Sequence, residues 1–147
     1  MGNLKLKVKK LRPDAILPTY ATDGSACFDL YALADACVDQ ATQPNVKVST
    51  GLAFDIPYGY QLLIFPRSGI AFKNHVTLTN AVGVVDQDFV GEVCILLSAH
   101  EHGTLDISKG DRIAQAQLVP VYKTEFIEVD ELTETERGTG GFGSTGK

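Results

Sequence analysis

Two short stretches of this 147-residue chain carry groups that could perform hydrolysis. The first is Asn80-Ala81-Val82-Gly83-Val84-Val85-Asp86-Gln87-Asp88-Phe89-Val90-Gly91-Glu92. Apolar runs flank an acidic, glycine-bounded turn, the pattern of a β-hairpin. A carboxylate leaving a strand can take a proton from water as a general base, which makes Asp86 the candidate. Turn chemistry explains Asp86 and Asp88 equally, because Asp hydrogen-bonds its own backbone. The second stretch is Pro66-Arg67-Ser68-Gly69. Its guanidinium fork, hydroxyl and permissive glycine could cradle an anion. A helix starting at Ser68 would add free amides, whereas a plain cap with a surface arginine accounts for the same residues.

Other polar groups need a reason to be where they are. Asp29 interrupts the apolar run Ala26-Cys27-Phe28-Asp29-Leu30-Tyr31, so it must be paired, hydrogen-bonded or facing a cavity. Asp111 and Arg112, at the turn before Ile113-Ala114-Gln115, could pair with each other. The glycine-rich end, Arg137-Gly138-Thr139-Gly140-Gly141-Phe142-Gly143-Ser144-Thr145-Gly146-Lys147, holds one aromatic ring, two cations and several hydroxyls. It cannot bury enough apolar surface to order itself, yet it has the groups that stack on a base and grip phosphates. Its last seven residues resemble the opening of a phosphate-binding P-loop. That motif needs a following Ser or Thr and a helix, neither of which can follow Lys147 here.

The elements that must position these groups read as strands. Period-two and short apolar runs fall at 4–12, 26–31, 46–55, 61–65, 76–79, 90–98 and 112–122, separated by Gly, Pro, Asn and Asp. Only 68–74 and 32–38 offer a turn or two of helix. The pattern predicts an all-β, jelly-roll-like barrel or sandwich with at most one short helix, over 1–131, and a flexible glycine-rich lid over 132–147.

Composition narrows the function. Hydrophobic residues make up 44% and charged residues 21%, as expected of one globular domain. No apolar run approaches the ~20 residues that cross a bilayer, and the first residues lack a secretory signal, so a cytoplasmic protein without membrane contact is expected. A net charge of −5 argues against a nucleic-acid partner but not against a phosphorylated metabolite held at one basic site. The lysines and arginine of 5–12 suit the solvent side of an edge strand, where they also deter aggregation. Cys27, Cys37 and Cys94 fit neither a disulfide framework nor a zinc site and read as buried thiols.

The segments 21–32, 66–73, 80–92, 109–121 and 137–147, in that order, resemble the five motifs of the homotrimeric dUTPase family. The resemblance implies the dUTPase-type fold and Mg²⁺-assisted hydrolysis of dUTP to dUMP and pyrophosphate, which limits uracil in DNA and supplies dUMP for dTTP synthesis. It makes Asp86 the activator of water attacking the α-phosphorus. Asp29 would hold Mg²⁺ through water. Asn80 and the backbone at Gly83 and Val85 would read uracil, and Phe89, where the family usually has Tyr, would stack on the sugar. Arg67, Ser68, Gly69 and Gln115 would contact phosphates. From the tail, Arg137 would bind the terminal phosphate, Phe142 would stack over uracil, and Gly143, Ser144 and Thr145 would complete the phosphate grip. The family builds each site from three subunits of a homotrimer. Alternatives are a binding or regulatory protein on the same fold, and a dCTP deaminase relative, which would show a second serine after Arg67-Ser68.

Overall fold

Residues 4–144 are described by a computed structural model. Eleven strands and one helix follow in chain order: β1 Lys7–Lys10, β2 Phe28–Tyr31, β3 Ala36–Asp39, β4 Asn45–Ser49, β5 Leu52–Asp55, β6 Tyr60–Phe65, α1 Ser68–Asn74, β7 Val76–Leu78, β8 Gly83–Val85, β9 Cys94–Ala99, β10 Thr104–Ile107 and β11 Arg112–Pro120. They pair antiparallel in four small sheets, ordered β2-β11-β6-β8, β4-β9-β7, β1-β5 and β10-β3. This is the all-β, jelly-roll-type architecture the alternation predicts, with one short helix where 68–74 was read.

Alternation explains the core. Leu62 and Ile64 of β6, Ile95 and Leu97 of β9, and Leu30, Leu52 and Ile113 are buried. Each such side chain contributes about 1.5–3 kcal/mol relative to exposure. The opposite faces carry polar groups, such as Lys7 of β1, which forms an exposed ion pair with Asp55 at 2.8 Å. Among the described residues, no helix is long and apolar enough to cross a membrane.

Several expectations change. The run 46–55 is two strands, because Gly51 breaks it at φ +69° and sends β4 to β9 but β5 to β1. The segment 32–38 does not turn helical. Its end becomes β3, paired with β10 through Val38↔Leu105 and Ala36↔Ile107, a partner strand too short to stand out in the sequence. The strand expected from residue 90 starts only at Cys94, and the apolar arms of 80–92 do not form one hairpin: β8 pairs with β6, whereas β9 pairs with β4 and β7. The thiols are not buried: Cys37 is exposed, and Cys27 and Cys94 are half-buried.

The strand expected to reach residue 122 ends at Pro120. The Val121 N–H still donates to Gly59 O, and from there to Ser144 the chain forms no strand or helix. Phe126 and Leu132 lie almost fully exposed along it.

A β-carbon at Gly51 would lie 2.9 Å from the Ala15 β-carbon and near both Leu33 δ-carbons, on a backbone that L-residues avoid. Gly51→Ala should therefore destabilise the fold by roughly 1–3 kcal/mol in a urea titration.

Candidate active site

β8 is a three-residue strand that positions the first group of candidates. Leu62 pairs with Val85 and Ile64 with Gly83. Gly83 is buried, and a β-carbon there would come within 3.0 Å of Ile64, so glycine is what lets β8 lie close on β6. Ahead of β8 the chain turns a tight corner: Val82 N–H donates to Asn80 O at 2.6 Å, and Ala81 adopts φ 60°. That left-handed conformation is uncommon for a residue with a side chain, and it holds Asn80 at the strand's mouth. After β8, Phe89 N–H donates to Asp86 O at 3.2 Å, closing a turn that leaves the Asp86 side chain exposed.

Asn80, Gly83, Val85, Asp86 and Phe89 thereby line one cavity of about 300 Å³, floored by Ile64 and Val93. Asp86 also borders a second recess of about 670 Å³, with Tyr60, Gln61 and Lys123. The smaller cavity is the one that gathers the expected base-reading groups. A mouth of backbone and amide groups over an apolar floor is the usual make-up of a small-molecule pocket. Cys94 lies on its wall, its thiol pushed up by burial and then by the nearby Glu92 charge, so it stays protonated at neutral pH.

A second group gathers where β6 ends. Asp29, on β2, is buried, and both its oxygens are engaged: Arg67 Nε lies 3.2 Å from Oδ1 and Arg112 NH1 3.2 Å from Oδ2. Arg67 NH1 also donates to Arg112 O at 3.1 Å, and Gln115 Nε2 donates to Pro66 O at 2.9 Å. The buried carboxylate is thus paired by two guanidinium groups. Asp111 and Arg112 do not pair: the Asp111 carboxylate accepts the Ser108 N–H at 2.9 Å. An irregularity between Arg112 and Ala114 in the pairing with β2 lies where Arg112 reaches Asp29. Ser68 and Gly69 open α1, exposed, with Arg67 at the cap position and no side-chain cap bond. Among the described residues no group of three His, Cys, Asp or Glu could hold a metal ion.

Along β6, Gly83 lies opposite Ile64, three residues before Arg67, and Asp86 lies towards the far end. The register places Asp86 beside Gln61, six residues before Arg67. At about 3.3 Å per residue, the part of that path on β6, from Gln61 to Phe65, spans roughly 13 Å. Among the described residues, the tail's hydrogen bonds are local to it. Arg137 Nε donates to Gly140 O at 2.8 Å, Phe142 is fully exposed, Gly143 takes φ +91°, and Ser144 N–H donates to Gly141 O. Thr145 lies outside the described residues.

The dUTPase family model matches residues 13–146. The chain belongs to the dUTPase family. Its relatives include the deoxyuridine 5'-triphosphate nucleotidohydrolase of Nautilia profundicola, 47% identical over 98% of this chain and 100% of the relative. Another is the enzyme of the same name from Helicobacter pylori (strain 26695), 41% identical over 97% of each chain. A solved structure of the Staphylococcus bacteriophage 80alpha dUTPase with dUpNHpp is similar at 28% identity and a TM-score of 0.88, covering 99% of this chain and 100% of that one. Two features of this dUTPase-family site had no reading in the sequence: the paired grip of Arg67 and Arg112 on Asp29, and a bond from Gly51 N–H to Glu92 Oε1 at 2.8 Å. Only an unpaired-charge argument at Asp29 pointed toward the first.

Replacing Arg112 by Met should destabilise the fold by about 1–3 kcal/mol, since it leaves the buried Asp29 with one cation. Asp29→Asn combined with Arg112→Met should recover part of that loss in the same urea titration.

Proposed function

We propose that this chain hydrolyses dUTP to dUMP and pyrophosphate, with Asp86 as the base that activates water at the α-phosphorus. The observation that supports it most is the convergence of Asn80, Gly83, Val85, Phe89 and Asp86 on one small cavity. Fixed backbone donors and acceptors suit the uracil edge, because a cytosine would leave buried groups unpaired. The exposed Asp86 carboxylate stands where it can take a proton from water as a general base. Phe89 offers its ring to the sugar.

The Arg67, Ser68, Gly69 and Gln115 group serves the phosphates. In the homotrimer of the family reading each site draws on three subunits, the phosphate group of one copy facing the base pocket of another. The tail then closes over a neighbouring site as a lid distinct from the barrel of 1–131. Arg137, Phe142, Gly143, Ser144 and Thr145 would meet the nucleotide there. The local hydrogen bonding of its described residues and the full exposure of Phe142 agree with that role.

The described residues do not build a cage for Mg²⁺, and both Asp29 oxygens already face arginines. They suit an ion carried in on the triphosphate, since magnesium commonly binds through substrate phosphates and few carboxylates. Asp29 would be its outer protein contact, through water. Bound there, the ion would neutralise phosphate charge. The chain's own residues bind the base, orient the sugar and take the proton. A cytoplasmic role in keeping uracil out of DNA and feeding dTTP synthesis follows from the reaction.

Asp86→Asn should cut pyrophosphate release from dUTP by about 10²–10⁴-fold while dUMP binding persists by calorimetry. Full activity in that variant would remove Asp86 as the base. Deleting 137–147 should slow turnover severely without lowering Tm; an unaltered rate would remove the lid. A pyrophosphate assay across dUTP, dTTP, dCTP and UTP with Mg²⁺ should show dUTP alone turning over. Ammonia release from dCTP would indicate a deaminase, and no turnover a binding protein.

A further inference from the structure

Between Asp86 and β9 the chain contains a feature with no assigned role. A β-carbon built at Gly91 would lie 2.8 Å from Cζ and 3.1 Å from Cε2 of Phe89. The Phe89 ring therefore folds back over Gly91 and occupies the space that any side chain at 91 would need. Glycine here serves close approach, because the φ of Gly91 is not in the left-handed region.

The residues that follow are fastened to the β4–β5 corner. Gly51 N–H donates to Glu92 Oε1 at 2.8 Å, Val93 N–H donates to Leu52 O at 2.9 Å, and the buried Thr50 hydroxyl donates to Val93 O. A β-carbon at Gly51 would meet Ala15 and Leu33, so the corner that Glu92 grips is closely packed. On its other side, the 86–91 loop is fixed by the pairing of β8 with β6. The loop is exposed, yet it is pinned at both ends.

We infer that Gly91 and Glu92 are positioning residues for sugar selectivity: Gly91 is the seat that sets the Phe89 ring, and Glu92, by gripping Gly51 N–H, holds that seat at the cavity wall. This rests on the dUTP hydrolase reading and adds the device that aims the ring. A ring held close over a deoxyribose leaves no room for a 2'-hydroxyl, whereas a displaced ring admits it. Neither residue touches the reacting atoms, so their loss alters discrimination and KM more than the proton transfer.

The test compares kcat/KM for dUTP and UTP in the wild type and in Gly91→Ala, Glu92→Ala, Glu92→Gln and Phe89→Ala. Gly91→Ala and Glu92→Ala should each lower the dUTP-to-UTP ratio roughly tenfold, mainly through KM for dUTP and gain of UTP turnover. Glu92→Gln keeps an acceptor oxygen for Gly51 N–H and should retain most of the wild-type ratio. In a Phe89→Ala background, Gly91→Ala should have no further effect on the ratio, because the two act as one unit. If Gly91→Ala keeps the wild-type ratio, or lowers kcat equally for both nucleotides, the inference is overturned. The same holds if its effect persists without the Phe89 ring. Gly91→Ala carries the result by itself should Glu92→Ala fail to fold. Ring-labelled phenylalanine NMR, with Phe89 assigned by Phe89→Leu, reads the seat without nucleotide: Gly91→Ala should shift the Phe89 signal. A wild-type chain inactive on dUTP would remove the activity and with it the sugar role. An unmoved Phe89 signal in an active enzyme would remove the seat alone.

Discussion

Strand β6 is paired along both edges, to β11 on one side and β8 on the other, while its alternate residues Leu62 and Ile64 fill the core. Backbone hydrogen bonds and apolar burial both resist a shift of register, since a one-residue slip would turn those side chains toward water. That fixed strand sets the geometry of everything chemical in the chain. One end carries Asp86 beside Gln61; the other runs out through Pro66 into Arg67 and α1. Between Tyr60 and Phe65 that spacing is a property of the ladder. Gly83 of β8 pairs with Ile64, three residues before Arg67, whereas Asp86 leaves the other end of β8.

The same sheet supplies the electrostatics. Burying a lone carboxylate on β2 would be costly, and the sheet offsets that cost by bringing Arg67 and Arg112 to its two oxygens. The result is a positive cluster whose charge exceeds that of Asp29 by one unit, in a chain whose overall balance is acidic. Net charge thus says little about the local field. The two guanidinium groups remain partly exposed, while Asp29 limits where they can point.

Much of this was legible in the chain before folding. Period-two alternation located most strands, and the interruption of an apolar run at Asp29 demanded a partner. The order of five weak motifs identified the family. The failures share a cause. The break at Gly51, the pairing of β3 with the short β10, and the divergence of β8 and β9 into different sheets are all decided by partners distant in sequence. A local window holds no information about them. The sequence pattern also suggested pairing Asp111 with its neighbour, when the nearer electrostatic demand came from Asp29, 83 residues away from Arg112.

By itself, then, the sequence determined residue types and their order: an acid after a strand, an arginine and serine before a helix, a glycine-rich tail. Those follow from alternation, turn chemistry and composition, which act over a few residues. Tertiary structure alone decided which of these groups meet. It gathered Asn80, Gly83, Val85, Asp86 and Phe89 around one cavity, brought Arg67 and Arg112 to Asp29, and seated the Phe89 ring on Gly91. The reason is that strand register and close packing are set by partners far along the chain, and they fix distances that no local pattern encodes.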